Sequence, residues 1–164
     1  MRSQRLTSGV ALLAGVLALG GCFMGDPKGP VLGFRLDHGV VTVAYPLCAD
    51  SKVLGVDVTE YTDSGPYPKV WHGEDPTSEA VERGVFVINS STSFRTTSPD
   101  PSKPLPDGVF VGATEPGHPT GGRDDYLDLP KLRAFHPEGP DSYYTSEGPM
   151  TRAEINDQLK CNRK

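Results

Sequence analysis

From Val31 onward, apolar and polar positions alternate with a period of two. Phe34 and Leu36 alternate with Arg35 and Asp37, and His38-Gly39 then supplies a turn. Val41, Val43, Tyr45 and Leu47 follow on one face, with Val40, Thr42 and Ala44 on the other. Pro46, late in this run, has no N–H for a ladder and points to an edge or a bulge. Beyond Ala49-Asp50-Ser51, Leu54, Val56 and Val58 alternate with Gly55, Asp57 and Thr59. Side chains along a strand point to opposite faces in turn, so three such segments at roughly ten-residue spacing predict an antiparallel all-β domain.

The later strands are less regular. Lys69–His72 is a short candidate, and Gly84-Val85-Phe86-Val87-Ile88 is a continuous apolar run of the kind found in buried strands. Ser93–Thr97 and Val109–Thr114 flank a proline-rich loop, Pro99–Pro106, closed by Asp107-Gly108. Tyr126–Leu132 reads as a last strand, weakened by Pro130, and Thr77–Glu82 has room for one turn of helix. At the C-terminus, Thr151-Arg152-Ala153-Glu154 is a capping box in which hydroxyl and carboxylate each satisfy an open backbone N–H. Met150 and Ile155 fit the accompanying hydrophobic staple, and Ile155 with Leu159 forms one apolar stripe. The sum is a mainly β protein, an antiparallel β-sandwich with a short C-terminal helix. By strand number and spacing it loosely resembles an immunoglobulin-type domain. It departs from that family where the family is most specific, because the second cysteine stands at the chain end and no inter-sheet Cys–Trp–Cys arrangement results. A different sandwich or a partly open barrel fits equally well.

The first thirty residues are patterned differently. Arg2 and Arg5 precede Val10–Leu19, an unbroken run of Val, Ala, Leu and Gly. Ten helical residues rise only about 15 Å, whereas a membrane span needs about 20 apolar residues. The run is therefore an export signal. It ends in Leu19-Gly20-Gly21-Cys22, which resembles the lipobox of bacterial prolipoproteins: an aliphatic residue, two small ones, then cysteine. The resemblance covers residues 1–22. It implies a diacylglyceryl group on the Cys22 thiol, cleavage before it by signal peptidase II, and an amino group that can then be acylated, with palmitate for example. Residues 1–21 are then a lipoprotein signal peptide, 22–30 a lipidated tether with two Gly and two Pro, and 31–164 the β-sandwich domain. Two or more acyl chains make a stable anchor, so the mature domain is expected on the cell membrane, facing the outside of the cytoplasmic membrane.

Charge and chemistry narrow the functional classes. The formal net charge is −5. Loss of Arg2 and Arg5 with the leader takes it to −7. An acidic chain with no basic cluster argues against nucleic acid as a partner. Once Cys22 is assigned to lipid, Cys48 and Cys161 remain; in an exported chain they read as one disulfide, against two free thiols or a metal pair. His38, His72, His118 and His136 lie apart, beside Gly or Pro in turn contexts, without metal-ligand spacing. Asp124, Asp125 and Asp128 after Gly121-Gly122 lack the alternation of a calcium loop and read as a solvated acidic turn. No nucleophile elbow, phosphate-cradling loop or dinucleotide fingerprint occurs. We therefore expect no metal, no cofactor and no catalytic group.

What remains is aromatic. Tyr61, Tyr67, Trp71 and His72 sit in or beside one Pro/Gly-rich segment, and Phe135, His136, Tyr143 and Tyr144 in another. Exposed rings on a sandwich would form a platform for a sugar or an envelope protein. The plainer reading of Trp71 is a core residue of its own strand, flanked by the tyrosines. Two classes of function follow: a non-catalytic binding or accessory domain of the cell envelope, or a small extracytoplasmic hydrolase acting on an envelope component. The hydrolase requires a cleft in which a His, a carboxylate and a Ser converge.

Overall fold

The computed structural model describes residues 29–65, 67–99, 103–117 and 122–161. The expected signal peptide, Cys22 and the expected tether up to Lys28 lie outside the described residues, as does His118.

Strands β1 (Gly33–Asp37) and β2 (Val40–Ala44) form the expected hairpin. Its turn is made by His38 and Gly39 at φ of 50° and 83°. Positive φ at both central residues gives the turn whose twist matches that of the flanking strands. β5 (Val85–Val87) adds to the other edge of β2, completing a three-stranded sheet ordered β1-β2-β5. The larger sheet is antiparallel throughout, with β3 (Gly55–Glu60), β4 (Lys69–Pro76), β6 (Phe94–Ser98), β7 (Gly108–Thr114) and β8 (Asp124–Asp128). Their order is β6-β4-β3-β7-β8. Between β4 and β5 lies a single turn of helix, α1 (Glu79–Glu82), capped by Ser78.

Both sheets put their alternate side chains into one continuous core. Phe34, Val41, Val43 and Phe86 come from the small sheet; Val56, Val58, Trp71, Phe94, Val109, Val111 and Leu127 come from the large one. Phe94 links the layers, standing edge-on to Trp71 at 5.9 Å and to Phe86 at 5.8 Å between centroids. Gly73, beside them on β4, leaves the room they occupy: a Cβ there would lie 2.7 Å from Phe94 and 2.8 Å from Trp71. The chain is thus mainly β and antiparallel, as the alternation predicts.

Several local expectations are corrected. Tyr126–Leu132 is not one strand, because β8 stops at Asp128 and α2 (Leu129–Ala134) begins. Asp128 accepts from the Lys131 N–H as N-cap, and Pro130 sits in the first turn, where its missing N–H costs nothing. Leu129 and Leu132 then join the core. Leu54 is exposed, and Val53 before it takes the buried place. Asp124–Asp128 is a strand rather than an acidic turn, and His72 lies within β4 rather than in a turn.

The C-terminal helix is α3 (Arg152–Asp157), and both halves of its capping box form. It ends before Leu159, so Ile155 alone supplies the buried stripe. Ile155 packs with Ala44, Tyr143 and Met150 in a second small core. Tyr143 belongs to the two-residue strand β9 (Ser142–Tyr143), which pairs with β10 (Met150–Thr151). Gly33 makes this approach possible, since any Cβ there would collide with Ile155 and Tyr143. Beyond α3, Cys161 bonds to Cys48 with Cα atoms 5.6 Å apart, closing a loop of 113 residues. On the chain-entropy account a loop of that size is worth roughly 4–5 kcal/mol. We expect reduction of the native protein to raise its intact mass by two hydrogen atoms and to lower its unfolding free energy by up to about that amount, read from denaturant titrations with and without reductant. Alkylation of two thiols before reduction would contradict the bond.

Candidate functional site

Strand parity decides which side chains of the large sheet face water. Val109 and Val111 of β7 point inward, so Phe110 points outward; Leu127 of β8 is buried, so Tyr126 beside it is exposed. Thr59, Phe110 and Tyr126 are direct cross-strand partners, which sets the two rings side by side. The chain leaves β3 at Tyr61, whose N–H donates to Gly108 O, and returns through Tyr67 before β4. Four rings consequently gather on the outer face. Tyr61 stacks on Tyr67 at 6.1 Å and meets Phe110 at 5.9 Å and Tyr126 at 5.6 Å. Tyr67 and Tyr126 each also meet Phe110 edge-on. Tyr61, Tyr67 and Tyr126 remain 44%, 51% and 39% exposed. Three large rings that half face water, packed against one another, form a contiguous apolar patch with hydroxyl tips.

Trp71 is not part of it. Its side chain is fully buried between the sheets, so the binding surface loses that residue. The second aromatic group also disperses, with Tyr143 in the small core and Phe135 tilted against Tyr144 at 5.8 Å.

A polar row lies beside the rings on the same face. Asp57 of β3 and His72 of β4 are direct partners, and Nδ1 of His72 is 2.7 Å from Asp57 Oδ1. Lys69 Nζ reaches the same oxygen at 2.6 Å, and His72 Nε2 stands 3.1 Å from Glu74 Oε1. Burial alone would raise the Asp57 pKa, but hydrogen bonds from Lys69 and His72 outweigh it and hold the carboxyl below its ordinary range. Ser98 is the register partner of His72 on β6, and the two imidazole nitrogens face Asp57 and Glu74.

The three aspartates of β8 diverge. Asp125 is half-buried, accepts from the N–H groups of Leu32 and Tyr126, and is raised mainly by burial. Asp128 caps α2 and pairs with Lys131 at 3.0 Å. Among the described residues no three His, Cys, Asp or Glu side chains gather as a metal site would require.

A second polar cluster sits at an end of the sandwich. Glu115, nearly buried, accepts from Tyr45 Oη at 2.7 Å, Ser51 Oγ at 2.8 Å and Arg123 Nη1 at 2.6 Å. Tyr45 Oη in turn accepts from the Arg123 N–H at 3.0 Å. Every oxygen of the carboxylate and phenol is used, so this network ties the end of β2 to the β7–β8 hairpin rather than presenting a reactive group. Compared with known protein families, curated proteins and solved structures, the chain finds no match.

Burial, aided by the bond to Glu115 and opposed by Arg123, pushes the Tyr45 hydroxyl up to about 12. An unfolded tyrosine titrates near 10, so the stability tied to the neutral phenol is complete below pH 10 and lost as pH climbs through 12. Two units correspond to roughly 2–3 kcal/mol. Denaturant titrations at pH 9 and pH 12 should show that loss, and Tyr45→Phe should reduce it; Tyr143, also raised mainly by burial, keeps a remainder. An unchanged alkaline loss in Tyr45→Phe would exclude the assignment.

Proposed function

We propose that this protein is a membrane-anchored bacterial lipoprotein, a non-catalytic binding domain held outside the cytoplasmic membrane by acylated Cys22. The observation that carries the binding role is the four-ring patch of Tyr61, Tyr67, Phe110 and Tyr126 on the outer face of the large sheet. Its ligand is an envelope glycan. Flat rings receive the C–H face of a sugar, while three phenol hydroxyls and the neighbouring Lys69, Asp57, His72 and Glu74 offer donors and acceptors to its hydroxyls. An open sheet face of this kind suits a chain-like ligand lying along it. The hydrolase alternative would need the imidazole of His72 to engage a hydroxyl, and the contacts the ring makes are with Asp57 and Glu74.

The anchor is tested by growing cells on a tagged fatty acid. The wild-type protein should carry the label and sediment with membranes, and Cys22→Ala should abolish both. Label retained by the alanine variant would remove Cys22 as the attachment point.

The patch is tested by titrating the protein with N-acetylglucosamine oligosaccharides in a calorimeter. Tyr61→Ala and Tyr67→Ala should each weaken binding by several-fold to tenfold, in line with roughly 1 kcal/mol for a ring contact. Their thermal transitions should stay close to that of wild type, because both side chains are half exposed. Equal affinity in the variants, or no heat from wild type, would dismiss the glycan site.

A further inference from the structure

A second candidate site lies at the opposite end of the chain's logic, where the tether enters the domain. The Val31 N–H donates to Gln158 Oε1 at 2.8 Å, and Gln158 Nε2 donates back to Val31 O at 3.0 Å. Residue 31 is therefore stitched to the residue that ends α3. The same part of the molecule holds an open cleft of about 760 Å³ lined by Arg83, Arg152, Asn156, Asp157, Leu159 and Cys161, among others.

Among the described residues, Arg83 and Arg152 line this cleft and their hydrogen bonds go to neutral acceptors. Arg152 donates to Asn156 Oδ1 at 2.7 Å and to Arg83 O at 2.6 Å; Arg83 donates to Ala49 O at 2.6 Å. By contrast, Arg35, Arg123 and Arg133 each pair with an acidic side chain. Neutral acceptors hold Arg83 and Arg152 in place, Asp141 acts on Arg152 only through its charge, and further N–H donors are left for an anion. Asp157 is the one carboxylate among the lining residues, so the cleft keeps a net positive charge. Lys160 adjoins it in sequence. In an acidic protein this is a local reversal of sign.

We infer that the Arg83–Arg152 cleft binds phosphate-type anions, and that its occupant is the headgroup phosphate of anionic phospholipid in the membrane that carries the anchor. The inference rests on the lipidated Cys22 reading. Nine residues, 22–30, span at most about 30 Å fully extended, so the residue-31 end of the domain stays close to the bilayer. A negatively charged domain is repelled by an anionic surface unless it turns a basic face toward it, and this cleft is that face.

The test is an arginine footprint of the full-length protein as the cell makes it, using phenylglyoxal and peptide mass mapping. Three conditions are compared: vesicles of phosphatidylcholine alone, the same vesicles doped with phosphatidylglycerol, and detergent with inorganic phosphate. Phosphatidylglycerol should suppress adducts at Arg83 and Arg152 several-fold, added salt should restore them, and exposed Arg95 on β6 should not change. Equal protection on phosphatidylcholine, equal protection by inorganic phosphate in detergent, or none at all would overturn the inference. The N-terminal peptide in the same digest reports acylation. An unacylated Cys22 overturns the anchor, and the footprint on added vesicles still decides the cleft.

Discussion

Six helical residues do not hold together in water by their own hydrogen bonds, so α3 persists through what it is tied to. Cys161 fixes its far side to Cys48, Ile155 fills the gap over Gly33, Asn156 accepts from the Leu47 N–H, and Gln158 brackets Val31. Each tie joins residues more than a hundred positions apart. Together they bring the first strand, the exit of β2 and the chain end into one place. Without them the three-stranded sheet would lose the cover over Ala44 and Gly33, and the arginine-lined cleft would have no second wall. Gly and Pro number 19 and 16, so much of the chain is loop, and closing the largest loop covalently offsets a core of modest size.

The two polar clusters differ in what they leave open. Around Glu115 every acceptor is filled by a neighbour in the same fold, and the group is buried, so its chemistry is consumed in holding strands together. Around His72 the partners are half exposed and share a face with the rings. Water reaches that row, and so can a hydroxylated ligand. The outer sheet face thus keeps polar and aromatic side chains in contact with solvent.

How much of this was legible depends on the range of the interaction. The β1–β2 hairpin follows from local parity and a two-residue turn, and α3 follows from a capping box that carries its own start signal. Pro130 misled because proline weakens a strand and opens a helix alike; Asp128 two residues earlier was the cue that separates the cases. The aromatic patch was half visible. Tyr61 and Tyr67 stood out as a cluster, but Phe110 and Tyr126 join it only through the β3-β7-β8 register, which no local pattern encodes. Trp71 suited two roles until Phe94 and Gly73 were seen to enclose it. The Asp57–His72 contact likewise exists because two strands pair in one register.

Trp71 is the single tryptophan of the chain, and among the described residues its buried indole N–H has no hydrogen-bond partner. An indole in so apolar a setting emits at short wavelength, and water shifts that emission to the red. Intrinsic fluorescence therefore reports one location, the layer between the sheets. Ligands on the outer tyrosines or at the arginine cleft leave that layer dry and the emission in place, whereas separation of the sheets does not. The molecule carries its own optical distinction between being bound and being unfolded.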